Sequence, residues 1–221
     1  KNPKVFPSQL DKDLERRDFT VNAMALVLPE FYLLDPHNGL EAVSKKLLIF
    51  LHSKSVAEDP TRVVRGARYA ARLGFNLSPE ALHQVHSTLE TWPWAWNHCD
   101  QPEEAPTALS TRLRMEMELL FLKEPWKNAI RSLQEWVGLL LLDKSLQADG
   151  TWGRRLHWAM RLNLPMLPSL ILGSSDPIAL AKRLQLPIQQ QNVLSECTLL
   201  QAFLTSPKIR DSCKAWGPTE W

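Results

Sequence analysis

Cysteine is scarce in this 221-residue sequence: Cys99, Cys197 and Cys213 are odd in number and far apart. That excludes a secreted disulfide scaffold and fits free thiols in a reducing, cytoplasmic compartment. No Cys-x-x-Cys or spaced His pair accompanies them, and His98-Cys99 stands alone, so no zinc site is spelled. Long apolar runs are absent too. The longest, Val137 to Leu142, is far short of the roughly 20 residues a bilayer span requires, which excludes a transmembrane helix. Neither charge sign is in excess, since 26 Lys and Arg stand against 24 Asp and Glu for a formal net charge of +2. A partner that reads charge must therefore read a local patch. With 44% apolar and 23% charged residues, the composition suits one large or two small globular domains and excludes long disorder. The first residue is Lys1 and no charged-then-apolar leader follows, so the sequence reads as a fragment of a longer chain.

What is present changes period along the chain. Pro3 and Pro7 mark the opening as an extended arrival segment. Val21, Ala23, Ala25 and Val27 alternate with other residues, and Phe31 to Leu34 form a second apolar run. Two strands over 19–28 and 31–34, joined at Pro29-Glu30, are expected. Two strands alone are marginally stable, which implies a larger sheet. Beyond Gly39 the apolar residues recur at three and four, and helices are expected over 55–73, 79–90, 109–123, 126–142, 152–162, 177–185 and 189–204. The expected fold class is mainly α, a helical array following a small β remnant.

The residues that carry chemistry fall in two clusters. In the first, Arg16, Arg17 and Asp18 stand directly before the expected strand, with Asn22 just beyond. An arginine fork matches phosphate oxygens and an adjacent carboxylate accepts from a sugar hydroxyl, so the trio suits a nucleotide; a salt-bridged surface turn uses the same residues. In the second, Glu58-Asp59-Pro60-Thr61-Arg62 leads into a helix on which Arg62, Arg65, Arg68 and Arg72 share a face with Asp59. A carboxylate can accept from the exocyclic amine of cytosine or adenine while an arginine donates to the ring. Asp59 and Arg62 can thus present a base-complementary edge, with the other arginines on phosphates. The competing reading is a helix start beneath a solvated arginine face. Either Asp59 is the N-cap with Pro60 at the first helical position, or Ser55 caps with Glu58 completing a capping box. Asp11-Lys12-Asp13 spells a carboxylate pair but has no glycine turn before it. Gly173-Ser174-Ser175-Asp176 reads as a helix cap, Glu124, Asp143 and Asp149 as solvated, and Trp92, Trp94 and Trp96 as loop packing.

Taken in order, Arg16-Arg17-Asp18-Phe19-Thr20-Val21-Asn22-Ala23, Asp35-Pro36-His37-Asn38-Gly39 and Glu58-Asp59-Pro60-Thr61-Arg62 resemble the class II tRNA nucleotidyltransferases, the CCA-adding enzymes, and their bacterial poly(A) polymerase relatives. The likeness spans about residues 8–75 and continues in Arg112-Leu113-Arg114-Met115-Glu116, similar to the family's Arg-x-x-x-Glu neck motif. The resemblance implies a remnant of the nucleotidyltransferase head over 1–43, a helical neck over 44–124 and a helical, tRNA-binding body over 125–221. It implies that Arg17 and Asp18 hold the ribose and phosphates of an incoming nucleotide, with Arg16 and Asn22 in support. Asp35, Pro36 and Gly39 would form a hinge. Asp59 and Arg62, helped by Glu58, would select CTP or ATP, with Arg65 and Arg68 also on the nucleotide, and Arg112 and Glu116 would brace the neck. The implied reaction transfers CMP or AMP from CTP or ATP to a tRNA 3′ end, using magnesium.

The sequence also departs from the family's pattern. Thr61 replaces a common leucine, Ala42-Val43 stands where Asp-Leu is usual, and Leu119 replaces a lysine. The paired aspartates that hold magnesium in the family, and the Gly-rich turn before them, would precede Arg16 and are not in this sequence. No catalytic carboxylate or metal ligand is therefore expected in this chain, and alone it is expected to be inactive. Two readings of other classes stand beside this one: a non-catalytic helical RNA-binding module, and a helical interaction protein whose clusters are salt-bridge networks. Within the family, poly(A) addition to RNA 3′ ends is the alternative.

Overall fold

A computed structural model describes residues 9–90 and 107–205; Trp92, Trp94, Trp96, His98, Cys99 and Cys213 lie outside the described residues, as do Pro3 and Pro7. The chain divides into two compact units, one ending at Leu141 and the other beginning at Leu142.

The first unit opens with α1 (Leu10–Glu15), a 3-10 turn at Thr20–Asn22, and an antiparallel hairpin of β1 (Ala25–Val27) and β2 (Tyr32–Leu34) in which Ala25 pairs with Leu34. The strand expected from residue 19 is thus confined to its second half. Phe19 is the reason: it is fully buried, stacked on Phe50 at 4.8 Å and edge-on to Tyr69 at 5.9 Å, and Thr20 N donates to Ile49 O at 2.9 Å. Those anchors turn the chain into the core before the hairpin begins. Next comes α2 (Gly39–Lys45), whose first amides, Gly39 N and Leu40 N, donate to the two oxygens of Asp35 at 2.6 and 2.9 Å. A Cβ on Gly39 would lie 2.6 Å from Thr20 O and 2.7 Å from the Met24 side chain, so only glycine lets α2 seat against the turn. The Asp-Pro-His-Asn-Gly segment thus forms the start of α2, with Asp35 accepting from its first amides. A short parallel pair, β3 (Leu47–Leu48) and β4 (Asn76–Leu77), follows.

The helix expected over 55–73 is two helices. α3 (Ser55–Glu58) stops at Asp59, whose φ of −146° and ψ of 91° are extended, and α4 (Thr61–Leu73) restarts after Pro60. A residue before proline is pushed out of the α region, and here that frees the Asp59 side chain to cap α4. Ser55 makes no side-chain cap, and its hydroxyl is buried without a hydrogen bond. α5 (Pro79–Glu90), α6 (Thr107–Lys123) and α7 (Trp126–Glu135) complete the unit, with α4 packed on both α6 and α7. Val63, Val64, Ala67 and Ala70 of α4 are buried, as are Ala129, Ile130 and Leu133 of α7. This packing holds α7 in the first unit, so the division falls after Leu141 and not at the 124/125 boundary read from the sequence. Val137 takes a φ of 54°, which ends α7 well before residue 142 and leads into a 3-10 turn at Gly138–Leu141.

The second unit is a helical array: α8 (Lys144–Gln147), α9 (Trp152–Arg161), α10 (Met166–Ile171), α11 (Pro177–Arg183) and α12 (Ile188–Thr205). Leu156, Leu170, Ile171, Leu180 and Leu194 are buried in it, with α10 packed against α9, α11 and α12. Asp176 accepts from Ala179 N at 2.9 Å above Pro177, the helix cap expected there. Asp143 and Asp149 are engaged, contrary to their reading as isolated solvated acids. Asp143 caps α8 by accepting from Ser145 N at 2.8 Å, and Asp149 pairs with Arg155 at 2.5 Å. No described helix is long and apolar enough to cross a membrane.

Candidate functional site

Because α4 repeats arginine at three and four, its four guanidinium groups emerge on one side, as the spacing implies. They do not form a solvated basic face. Arg65 Nε donates to Asp18 Oδ2 at 2.8 Å and its Nη1 to Glu116 Oε1 at 3.2 Å. Arg68 is clasped between Glu116 and Glu124, and Arg72 Nε donates to Glu124 Oε2 at 2.9 Å. Glu124, read from the sequence as solvated, has a side chain only 1% exposed and closes this network. Burial opposes the charge on Arg65, yet the hydrogen bond and charge of Asp18, with Tyr69 and Glu116, outweigh it and raise its pKa above the ordinary guanidinium value. Of the four, only Arg62 has no carboxylate partner among the described residues; its Nη1 donates to Ser55 O at 3.3 Å.

Arg62 stands in a cavity of about 870 Å³ walled by segment 16–22, α4 and α6. Arg16, Arg17, Asp18, Asn22, Asp59, Arg62, Arg65, Arg112 and Glu116 line it, so most of the residues singled out in the sequence converge there. Glu58 and Arg68 are not on its walls: Glu58 faces His52 at 3.4 Å, and Arg68 is spent on the acids of α6. Asp18 is 7% exposed and works inward, accepting from Phe19 N at 2.9 Å, Asn22 Nδ2 at 2.8 Å and Arg65. Arg16 and Arg17 share Asp13, whose carboxyl their hydrogen bonds, Arg17's foremost, hold below the usual carboxylate range. Asp13 is thus an anchor for the two arginines, and Asp11-Lys12-Asp13 is no metal pair.

Asp59 is held by one oxygen. Its Oδ1 accepts from Thr61 N at 3.2 Å, Thr61 Oγ1 at 2.7 Å and Arg112 Nη2 at 2.9 Å, which leaves Oδ2 open. One oxygen thus accepts from the first residue of α4 and from Arg112, and the other accepts no hydrogen bond among the described residues. Thr61, Tyr69, Met115 and Leu119 also line the cavity and escaped the sequence reading of its walls. The hydroxyl of Thr61 had a signal, since an Asp two residues before a Thr is an Asx-turn pattern. Met115 and Leu119 had none, because an apolar residue on a helix reads as core.

The poly A polymerase head domain family matches residues 1–49. A CC-adding tRNA nucleotidyltransferase of Deinococcus radiodurans is 38% identical over 145 residues, 64% of this chain and 35% of that protein. Over these segments the chain is similar to the class II tRNA nucleotidyltransferases. An A-adding tRNA nucleotidyltransferase of Aquifex aeolicus is 49% identical over 79 residues, 34% of this chain and 10% of that protein. The chain thus aligns with about a third or less of these relatives. Among solved structures, a CCA-adding enzyme in complex with CTP superposes with a TM-score of 0.63 at 24% identity, covering 89% of this chain and 50% of that one, which shows a shared, mainly α fold.

Magnesium, which the resemblance implies, needs several open carboxylate oxygens converging on one point. Among the described residues no three His, Cys, Asp or Glu side chains are so arranged. Asp18, Asp59 and Glu116, the carboxylates on the cavity wall, each already accept from an arginine. These residues do not fit a metal centre, and no step is assigned through one.

Proposed function

We propose that this chain is the nucleotide-selecting and RNA-binding portion of a tRNA nucleotidyltransferase that adds CMP or AMP from CTP or ATP to a tRNA 3′ end. The observation that carries this reading is the pairing, on one cavity wall, of an open Asp59 oxygen with an arginine that has no carboxylate partner. Cytosine and adenine both place an amine donor beside a ring-nitrogen acceptor, and Asp59 Oδ2 with the Arg62 fork offers the complement. Uracil and guanine present the reverse order and meet acceptor with acceptor and donor with donor. Arg17, which lines the same cavity and is half exposed, supplies positive charge for a triphosphate. The names of the relatives favour tRNA over other RNA 3′ ends as the acceptor. Titration of the chain with the four nucleoside triphosphates tests the reading: CTP and ATP should bind more tightly than UTP and GTP, and Arg62→Ala should abolish the preference. Equal binding of all four by the parent chain overturns it.

A further inference from the structure

Asp59 and Arg62 are held in place by different kinds of group. Ser55 O accepts from Asp59 N at 3.2 Å and from Arg62 Nη1 at 3.3 Å. A carbonyl is present whatever residue stands at 55, so the Arg62 fork is tied to main chain. The Asp59 carboxylate depends on side chains as well. Of the three donors to its Oδ1, the Thr61 N–H at 3.2 Å is one that any residue but proline supplies. Arg112 reaches it at 2.9 Å from a long side chain that is 53% exposed, and a pair of that kind fixes geometry weakly. Thr61 Oγ1 is the nearest donor, at 2.7 Å. Its residue is only 3% exposed, its branched side chain is stiff at χ1, and among the described residues its hydroxyl bonds to Asp59 alone. Of the contacts that a substitution can remove, the Thr61 hydroxyl is the rigid one.

We infer that Thr61 is a positioning residue for base selection: its hydroxyl fixes the plane of the Asp59 carboxylate, so that Oδ2 is aimed at the amine of the incoming base. The inference rests on the proposed function in taking Asp59 as half of the base-reading edge. A carboxylate is symmetric, so exchanging its two oxygens changes nothing; the plane in which the free oxygen lies is what an amine meets. Hydrogen bonds weaken steeply away from linearity, and a carboxylate free to swing spends part of its time where it cannot accept from the base. Holding it in the accepting orientation before the nucleotide arrives removes that cost from binding. Thr61 stands where a leucine is common in the family, and leucine brings no hydroxyl, so the device belongs to this sequence.

The test is competition binding of CTP and UTP to the full 221-residue chain and its variants. Thr61→Val keeps the branched shape and removes the hydroxyl; it should lower the ratio of CTP to UTP affinity by roughly 3- to 10-fold, the worth of one hydrogen bond. Thr61→Ser should restore most of that ratio. A damaged helix start would not move this readout, because a smaller folded fraction weakens both nucleotides alike. Introduced beside Asp59→Asn, Thr61→Val should leave the ratio where Asp59→Asn alone puts it, since the group it positions is gone. An unaltered ratio in Thr61→Val, or the same fall with and without Asp59→Asn, overturns the inference. If the parent chain prefers CTP and Asp59→Asn removes that preference, the proposed function survives such a result. A parent chain that binds CTP and UTP equally overturns both.

Discussion

The Asp59→Asn variant tests the proposed base-reading edge, because the surroundings of Asp59 dictate which way the new amide turns. Three donors, Thr61 N, Thr61 Oγ1 and Arg112 Nη2, converge on Oδ1, so the amide oxygen must occupy that position. The NH2 group then replaces Oδ2 and points into the cavity. An acceptor becomes a donor with almost no change in shape. CTP loses a charge-assisted hydrogen bond from its amine and meets a donor in its place, a penalty of about 1.5–3 kcal/mol. That corresponds to roughly 10- to 150-fold weaker binding. UTP offers a carbonyl at the same position and is relieved of a repulsion, so the ratio of CTP to UTP affinity should fall by more than the loss in CTP alone. Weakening of the Arg112 contact contributes less than about 1 kcal/mol, since that pair is solvent-exposed, and it acts on all nucleotides alike. Competition binding with the four triphosphates reads both effects. If CTP and UTP weaken by the same factor, Asp59 does not face the base and the reasoning fails.

Two further outcomes follow from other contacts. Glu124→Ala removes a buried acceptor from two arginines, one of which, Arg68, is largely buried and keeps Glu116; the expected loss is about 3 kcal/mol, with Glu124→Gln costing roughly half as much. Urea unfolding followed for each variant should show the midpoints falling in that order at constant m, and coincident midpoints would mean that the network stabilises nothing. In the second unit, burial opposes the charge of Asp149, but hydrogen bonds from Arg155 and Thr151 outweigh it and depress its pKa. A depressed carboxyl contributes stability that is complete above its unfolded value, near 3.8, and is lost as pH falls through the lower folded value. Asp149→Asn should therefore destabilise the unit at pH values near neutral and match the parent in strong acid. A constant difference across that range would refute the assignment.

Much of this site is legible in the sequence because its parts are local. Spacing of three and four puts the arginines of α4 on one side, although the continuous helix expected over 55–73 misses the break at Asp59-Pro60. Asp176 before Pro177 is read for the same reason. What the sequence hides depends on long-range packing. Phe19 lies in a strand-like alternation, yet its burial against Phe50 and Tyr69 overrides that pattern and shortens the hairpin. Helices α2, α8 and α10 span two turns or fewer, too short for periodicity to declare them. Glu124 appears isolated along the chain because its partners are 52 and 56 residues away.

The charge ladder between α4 and α6 explains why one arginine of α4, Arg62, is left without a carboxylate partner among the described residues. Three of its rungs have nearly constant sequence offset: Arg112 meets Asp59 across 53 residues, Arg65 meets Glu116 across 51, and Arg72 meets Glu124 across 52, while Arg68 bridges Glu116 and Glu124 across 48 and 56. At that offset Arg62 falls opposite Arg114 and Met115, where α6 has no acid, and Arg114 is turned toward Glu118 at 4.0 Å. A basic stripe in the sequence thus becomes, on packing, a set of neutralised struts with one gap. The struts fix the orientation of α4, and the gap leaves Arg62 lining the same cavity as Asp59. Rigidity and the one arginine without a carboxylate partner come from the same repeat, and the residue that interrupts the pairing, Met115, lines the cavity with Arg62.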